Sequence, residues 1–230
     1  MEVIILAGGL GTRLQSVISE IPKPMAPILN KPFLHYVLNW LYKNEITRAI
    51  ISVGYKADVI IKEFGSRFNN IELIYSVEEV PLGTGGAIAL AMTKISEDKV
   101  FVINGDSFFY VRLDKLMSFH CSGNFDFSMV LKPMKKTDRY GTVEIDDNNR
   151  VIKFNEKAKV DEGLINGGIY LLNSSVAKLF PRNEKFSIEE KFMATMVNEL
   201  SFGGLIQDNY FIDIGVPEDY IRAQVELPIL

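Results

Sequence analysis

The run Leu6-Ala7-Gly8-Gly9-Leu10-Gly11-Thr12-Arg13-Leu14 sets three glycines, a threonine and an arginine directly after a short apolar stretch. Glycines let a ligand approach the backbone closely, and successive N–H groups then wrap phosphate oxygens. A helical turn after the loop adds its positive end. Arg13 brings a fork of donors that matches phosphate. Taken alone, such a glycine cluster is equally a plain tight turn. Two familiar phosphate loops are excluded. No G-x-x-x-x-G-K-[ST] string is present, and G-x-G-x-x-G fails because Leu14 stands where the third glycine belongs. Further on, Ile21-Pro22-Lys23-Pro24-Met25-Ala26-Pro27 encloses one lysine among prolines, and a restricted backbone aims the ammonium at one point.

Other chemistries are closed off by composition. The single cysteine, Cys121, rules out an internal disulfide and a cysteine-rich zinc site. Two histidines, His35 and His120, argue against a triad, a zincin helix and a three-histidine metal site. A metal bound here takes oxygen ligands, which favours Mg²⁺. A net charge of −4 gives the surface no general attraction for nucleic acid. Val3–Ala7 has no basic lead and is too short for a signal peptide, and no apolar stretch reaches the roughly 18 residues of a membrane span. A cytoplasmic location without membrane contact is the expectation. A second copy of the chain, as a homodimer, is the macromolecular partner left open.

The elements that must position these residues alternate. Val3–Ala7, Ala49–Val53, Ile71–Tyr75 and Val100–Ile103 read as buried strands, and Phe33–Asn44, Ala57–Phe64 and Gly85–Thr93 as helices. Such alternation predicts a parallel sheet covered on both faces. The second part reads as alternating strands at Phe125–Leu131, Gly141–Ile145, Arg150–Phe154 and Leu164–Leu172, with a hairpin turn at 146–149. An amphipathic helix over Ile188–Glu199, a strand Tyr210–Ile214 and a closing helix from Pro217 follow. With 230 residues the chain suits one α/β domain, a single Rossmann-like mixed sheet flanked by helices. About 1–110 reads as a nucleotide half and about 111–230 as an acceptor half.

Together, Gly8–Leu14 and Lys23-Pro24 resemble the sugar-phosphate nucleotidyltransferase family, whose fold is GT-A-like. The resemblance continues through Pro81–Ala87, Asn104-Gly105-Asp106, Phe154–Lys157, Asn166–Tyr170 and Asp213–Pro217. Within the family it is nearest to the D-glycero-α-D-manno-heptose 1-phosphate guanylyltransferases, through Pro22–Pro27, Gly83–Ile88, Tyr140–Val143, Ile165–Leu172 and Phe211–Tyr220.

This resemblance implies transfer of a nucleoside monophosphate, GMP favoured, from a triphosphate to a sugar 1-phosphate for capsule or lipopolysaccharide synthesis. It implies that Arg13, Lys23, Asp106 and Asp213 carry the reaction. Leu6, Ala7, Gly8, Gly9, Gly11, Thr12, Arg13, Lys23, Gly83, Thr84 and Gly86 then hold the nucleotide. Tyr140, Gly141, Glu156, Lys157, Asn166 and Gly167 hold the sugar phosphate, and Asp106 and Asp213 hold Mg²⁺. Guanine presents two adjacent donors that a carboxylate matches, so Glu78 or Glu79 is expected to help select GTP. Two further readings stay open. One is a uridylyl- or thymidylyltransferase acting on a hexose 1-phosphate. The other is a non-catalytic regulatory subunit that binds a sugar nucleotide.

Overall fold

Strands β1 (Glu2–Leu6), β2 (Arg48–Val53), β3 (Ile71–Val77) and β4 (Lys99–Asn104) pair in parallel in the order β4-β1-β2-β3. The computed structural model describes residues 1–9, 21–135, 137, 139–155, 161–181 and 184–229. In β1, Val3 and Ile5 enter one apolar layer and Ile4 the opposite one, all at 0% exposure. A strand buried on both faces has no polar alternation, which is why Val3–Leu6 reads as a continuous apolar run. Full burial of each such side chain stabilises the fold by about 1.5–3 kcal/mol.

Helices α1 (Phe33–Lys43) and α2 (Ala57–Phe64) cover the Val3/Ile5 face, through Phe33, Leu34, Val37, Leu41, Ile60 and Phe64. Helix α3 (Gly83–Met92) covers the Ile4 face through Ile88 and Ala91. Helix α4 (Leu113–Ser122) follows the short strand β5 (Ser107–Phe109) and joins the α1 layer through Leu113 and Leu116.

Further strands are β6 (Phe127–Lys135), β7 (Thr142–Ile145), β8 (Val151–Asn155), β9 (Glu162–Asn173), β10 (Phe202–Ile206) and β11 (Phe211–Asp213), besides the two-residue strands Pro27–Ile28, Lys31–Pro32 and Arg67–Phe68, the last of which pairs with β3 at the sheet edge. The twelve-residue β9 is the hinge of the topology. Its end, from Ile169 to Asn173, runs antiparallel to β4, and its start meets β7 at Thr142. Its other edge pairs with β6, with a register shift between Asn166 and Tyr170. One ten-stranded mixed sheet therefore passes through both halves of the chain. Helix α5 (Pro217–Glu226) closes the α1 layer through Ala223, with Pro217 in its first turn.

The expected strands and the three first helices form where the sequence places them. The segment expected as one helix over Ile188–Glu199 differs. Wide i→i+5 turns span Ile188–Met193, and a single α turn, Ala194–Met196, follows. Strand β10 has no clear sequence signature, because Gly203 and Gly204 are poor strand formers. The Phe125 and Phe119 rings fill the space over Gly203, where a β-carbon would lie 2.6 and 2.8 Å from them.

Candidate active site

Two strand ends meet first. The Gly105 N–H donates to the Leu6 carbonyl at 2.9 Å. A β-carbon at 105 would sit 2.5 Å from that oxygen, so only glycine lets β4 leave the sheet so close to β1. Asp106 is thereby carried beside the Gly8-Gly9 segment, which lines the same cleft. Behind these ends lies a cleft of about 520 Å³, lined by residues that include Leu6, Ala7, Gly8, Gly9, Asn104 and Asp106.

Lys23 enters the same cleft, with Pro24 beside it. Pro22 is extended, and the turn Lys23–Met25 is closed by Met25 N–H donating to the Pro22 carbonyl at 2.8 Å. The Ala26 carbonyl then accepts from the Phe33 N–H at 2.9 Å, which ties the segment to α1. The lysine backbone is thus fixed at both ends. Its Nζ donates to Asp106 Oδ2 at 2.9 Å.

Asp213 reaches this point through a ladder. β11 runs antiparallel to β5 with Asp213 opposite Ser107, and the Ile214 N–H donates to the Asp106 carbonyl at 3.0 Å. Aspartates 107 positions apart in sequence become neighbours across one strand pair. Asp213 Oδ1 accepts from the Gly215 N–H at 2.8 Å, and Tyr140 donates to Oδ2 at 3.4 Å. Burial pushes the Asp213 carboxyl above its ordinary range, and the Asp106 charge adds to this. The Gly215 N–H, Lys23 and Arg139 oppose the shift. Burial, aided by Asp213, pushes the Tyr140 phenol up to about 12, so it remains a donor at neutral pH.

Two carboxylates against one ammonium leave surplus negative charge, which further positive charge would relieve. Among the described residues no three His, Cys, Asp or Glu side chains converge as a metal cluster. Two carboxylates completed by water and phosphate oxygens are nonetheless an ordinary donor set for Mg²⁺, and Asp106 and Asp213 fit it.

The far wall of the cleft is the start of α3, with Pro81, Gly83, Thr84 and Ala87. Gly83 has φ +72°, and a β-carbon there would lie 2.5 Å from the Phe186 carbonyl. That carbonyl accepts from the Gly85 N–H at 3.0 Å, while the Phe186 N–H donates to the Leu82 carbonyl at 3.0 Å. This docking brings Lys185 into the cleft wall, a residue with no local sequence signal. Glu78 also lines the cleft; its carboxylate accepts from the Ser52 hydroxyl at 3.1 Å and the Leu82 N–H at 3.0 Å. Glu79 is exposed outside the lining. Gly86 is buried behind the wall, packed on the Leu82 side chain.

A partly buried chain of hydrogen bonds, with the Tyr170 hydroxyl at its centre, ties this wall to β9. Thr84 donates to Glu189 Oε2 at 2.9 Å, Tyr170 donates to Glu189 Oε1 at 3.3 Å, and the Asn166 amide donates to the Tyr170 hydroxyl at 2.8 Å. Asn166 Oδ1 accepts from the Gly168 N–H at 3.0 Å, which holds the bulge. Gly167 is buried; a β-carbon there would lie 2.5 Å from the Phe109 ring. Gly141 is equally close to the Asn155 carbonyl, 2.7 Å from a β-carbon. The expected site residues Gly11, Thr12, Arg13, Glu156 and Lys157 lie outside the described residues. No helix among the described residues is long and apolar enough to cross a membrane.

Known proteins share this architecture and sequence. The profile of the family described as nucleotidyl transferase matches residues 2–228. The D-glycero-alpha-D-manno-heptose 1-phosphate guanylyltransferase of Aneurinibacillus thermoaerophilus is 51% identical over 227 residues, covering 99% of this chain and 98% of the relative. The protein of the same description from Campylobacter jejuni is 48% identical, over 96% of this chain and 97% of its own. The crystal structure of HddC from Yersinia pseudotuberculosis superposes with a TM-score of 0.87 at 37% identity, covering 97% of each chain. The same protein complexed with GMP-PN gives 0.86, also at 37% identity and 97% of each chain.

Proposed function

Because the chain belongs to the nucleotidyl transferase family, we propose that it transfers GMP from GTP to D-glycero-α-D-manno-heptose 1-phosphate and releases pyrophosphate. A phosphate oxygen of the sugar attacks the α-phosphorus, and the bond to the bridging oxygen of the β,γ-pyrophosphate breaks. The leaving group departs opposite the attacker, so no covalent intermediate on the protein is required. Catalysis is then positioning and charge stabilisation.

One observation carries this reading: Lys23 and Asp106 line a cleft beside Gly8-Gly9 and are bonded to each other, and the β5–β11 ladder brings Asp213 next to Asp106. In this reading the Gly8-Gly9 segment faces the phosphates, and Lys23 faces the α-phosphate and its attacker. Asp106 and Asp213 would hold Mg²⁺, which when bound would supply positive charge to offset the repulsion between the two anions. Lys23 then holds Asp106 in place until substrate phosphate competes for the ammonium. Thr84 and the α3 wall enclose the base, Glu78 offers acceptors to the guanine N1–H and 2-amino group, and Tyr140 and Asn166 border the sugar. The two halves act as one catalytic unit. The names of the relatives support guanine and heptose as the partners.

The test is pyrophosphate release with Mg²⁺, each nucleoside triphosphate in turn, and either the heptose phosphate or α-D-mannose 1-phosphate. Release with GTP and the heptose phosphate is expected. Release with UTP or dTTP and a hexose phosphate would overturn the donor and acceptor assignment, and silence across the panel would overturn the enzyme assignment.

A further inference from the structure

The Asp213 carboxylate is gripped from two directions. One grip is local, from the Gly215 N–H. The other comes from Tyr140, 73 positions away in sequence. Tyr140 is itself held. Arg139 Nη2 donates to its hydroxyl oxygen at 3.2 Å, and the guanidinium lies over its ring, 5.4 Å from the centroid. With that oxygen taken as acceptor, the phenolic hydrogen is left to point at Asp213.

Arg139 is anchored in turn. The same nitrogen donates to Asp219 Oδ2 at 2.6 Å, while Arg222 Nη1 occupies Asp219 Oδ1 at 2.8 Å. Asp219 is buried, at 7% exposure, and Arg222 is also fastened to Glu226 at 3.1 Å. A nearly buried carboxylate with each oxygen on a guanidinium has its charge balanced within the protein.

We propose that Arg139 and Asp219 form a positioning pair that fixes Tyr140 against Asp213. This rests on the nucleotidyl transfer proposed above. The pair fastens the 139–140 turn of the acceptor half to the first turn of α5, three positions after Val216. Neither residue touches the reacting atoms. Their effect passes through the Tyr140 hydroxyl to the orientation of the Asp213 carboxylate. Partners that orient a metal-holding carboxylate commonly change activity or metal affinity by about 10–100-fold.

The experiment is a double-mutant cycle on Arg139→Met and Asp219→Asn, read by kcat, by each KM, and by Mn²⁺ affinity in the presence of a non-hydrolysable GTP analogue, followed by electron paramagnetic resonance. Each single variant is expected to lower kcat and Mn²⁺ affinity by about tenfold, and the double variant by no more than the worse single. Arg139→Lys should recover part of the loss. Losses that multiply in the double variant would overturn the pair, because the residues would then act independently. So would a loss confined to KM for the sugar phosphate, because Arg139 would then bind substrate directly. If a charge variant fails to fold, Tyr140→Phe keeps both ion pairs and removes only the hydroxyl link. It should reproduce the tenfold losses, and wild-type kcat and Mn²⁺ affinity would overturn the proposal. A wild-type protein without pyrophosphate release would sink the reaction assignment alone, since the Mn²⁺ titration reads the pair without turnover.

Discussion

Gly215→Ala adds one methyl group where Lys23 and Asp213 meet, and changes no charge. The new carbon would lie 2.8 Å from Asp213 Oδ1, about 0.6 Å inside the 3.4 Å at which ordinary contact begins. It would also lie 3.2 Å from Lys23 Nζ. Gly215 is not among the positive-φ glycines, so alanine fits its backbone and the effect is confined to the crowding. Asp213 has little room to retreat, because the Gly215 N–H and the Tyr140 hydroxyl hold its two oxygens. A misplacement of about 1 Å costs on the order of a hundredfold in rate, so roughly half of it should lower kcat by about tenfold, or about 1.4 kcal/mol. Folding stability should change by only about 1 kcal/mol, since the added methyl meets the Asp213 and Lys23 side chains and no backbone. Steady-state pyrophosphate release at several Mg²⁺ concentrations, beside thermal unfolding, reads both quantities. Turnover within twofold of wild type at every Mg²⁺ concentration would mean that the Asp213 carboxylate does not need this position.

Three other outcomes are expected. Asp106→Asn should reduce turnover by at least about a hundredfold in the same assay, the scale of a lost transition-state charge stabiliser, and near-normal activity would contradict its metal role. Glu78→Ala should lower the preference for GTP over UTP by about tenfold, as expected for a lost hydrogen bond to a charged group, whereas an unchanged preference would remove Glu78 from base selection. Glu2→Gln should lower stability in urea by about 2–3 kcal/mol at neutral pH. Glu2, at 3% exposure, accepts from Arg48, the Ser96 hydroxyl and N–H, and the Glu97 N–H. Burial pushes its carboxyl up, but these bonds outweigh burial and hold it below its ordinary 4.5. The stabilisation is complete above 4.5 and is lost as the pH falls through the lower folded value. The gap between wild type and Glu2→Gln should therefore narrow in acid, and a gap independent of pH would rule out the charged form as its source.

Much of the molecule is legible in one dimension because its determinants are local. Apolar runs such as Val3–Ala7 and Ala49–Val53 are continuous because a parallel strand is buried on both faces, and that burial marks them whatever their partners. Gly8-Gly9, the prolines around Lys23 and the Gly83 segment are readable for the same reason, since backbone freedom or restriction belongs to the residue itself. Strand β10 escapes such reading because its place depends on the Phe119 and Phe125 rings, which lie far away in sequence. Residue types alone cannot place Asp213 beside Asp106; the family resemblance named the pair, and the β5–β11 register joins them. Lys185 enters the cleft wall only because the Phe186 backbone docks on Leu82 and Gly85. Asp219 looks like an ordinary acid in the first turn of a helix, and only folding buries it between two guanidiniums. Charges bought together from distant positions interact through distance and burial, and those two quantities exist only once the chain has folded.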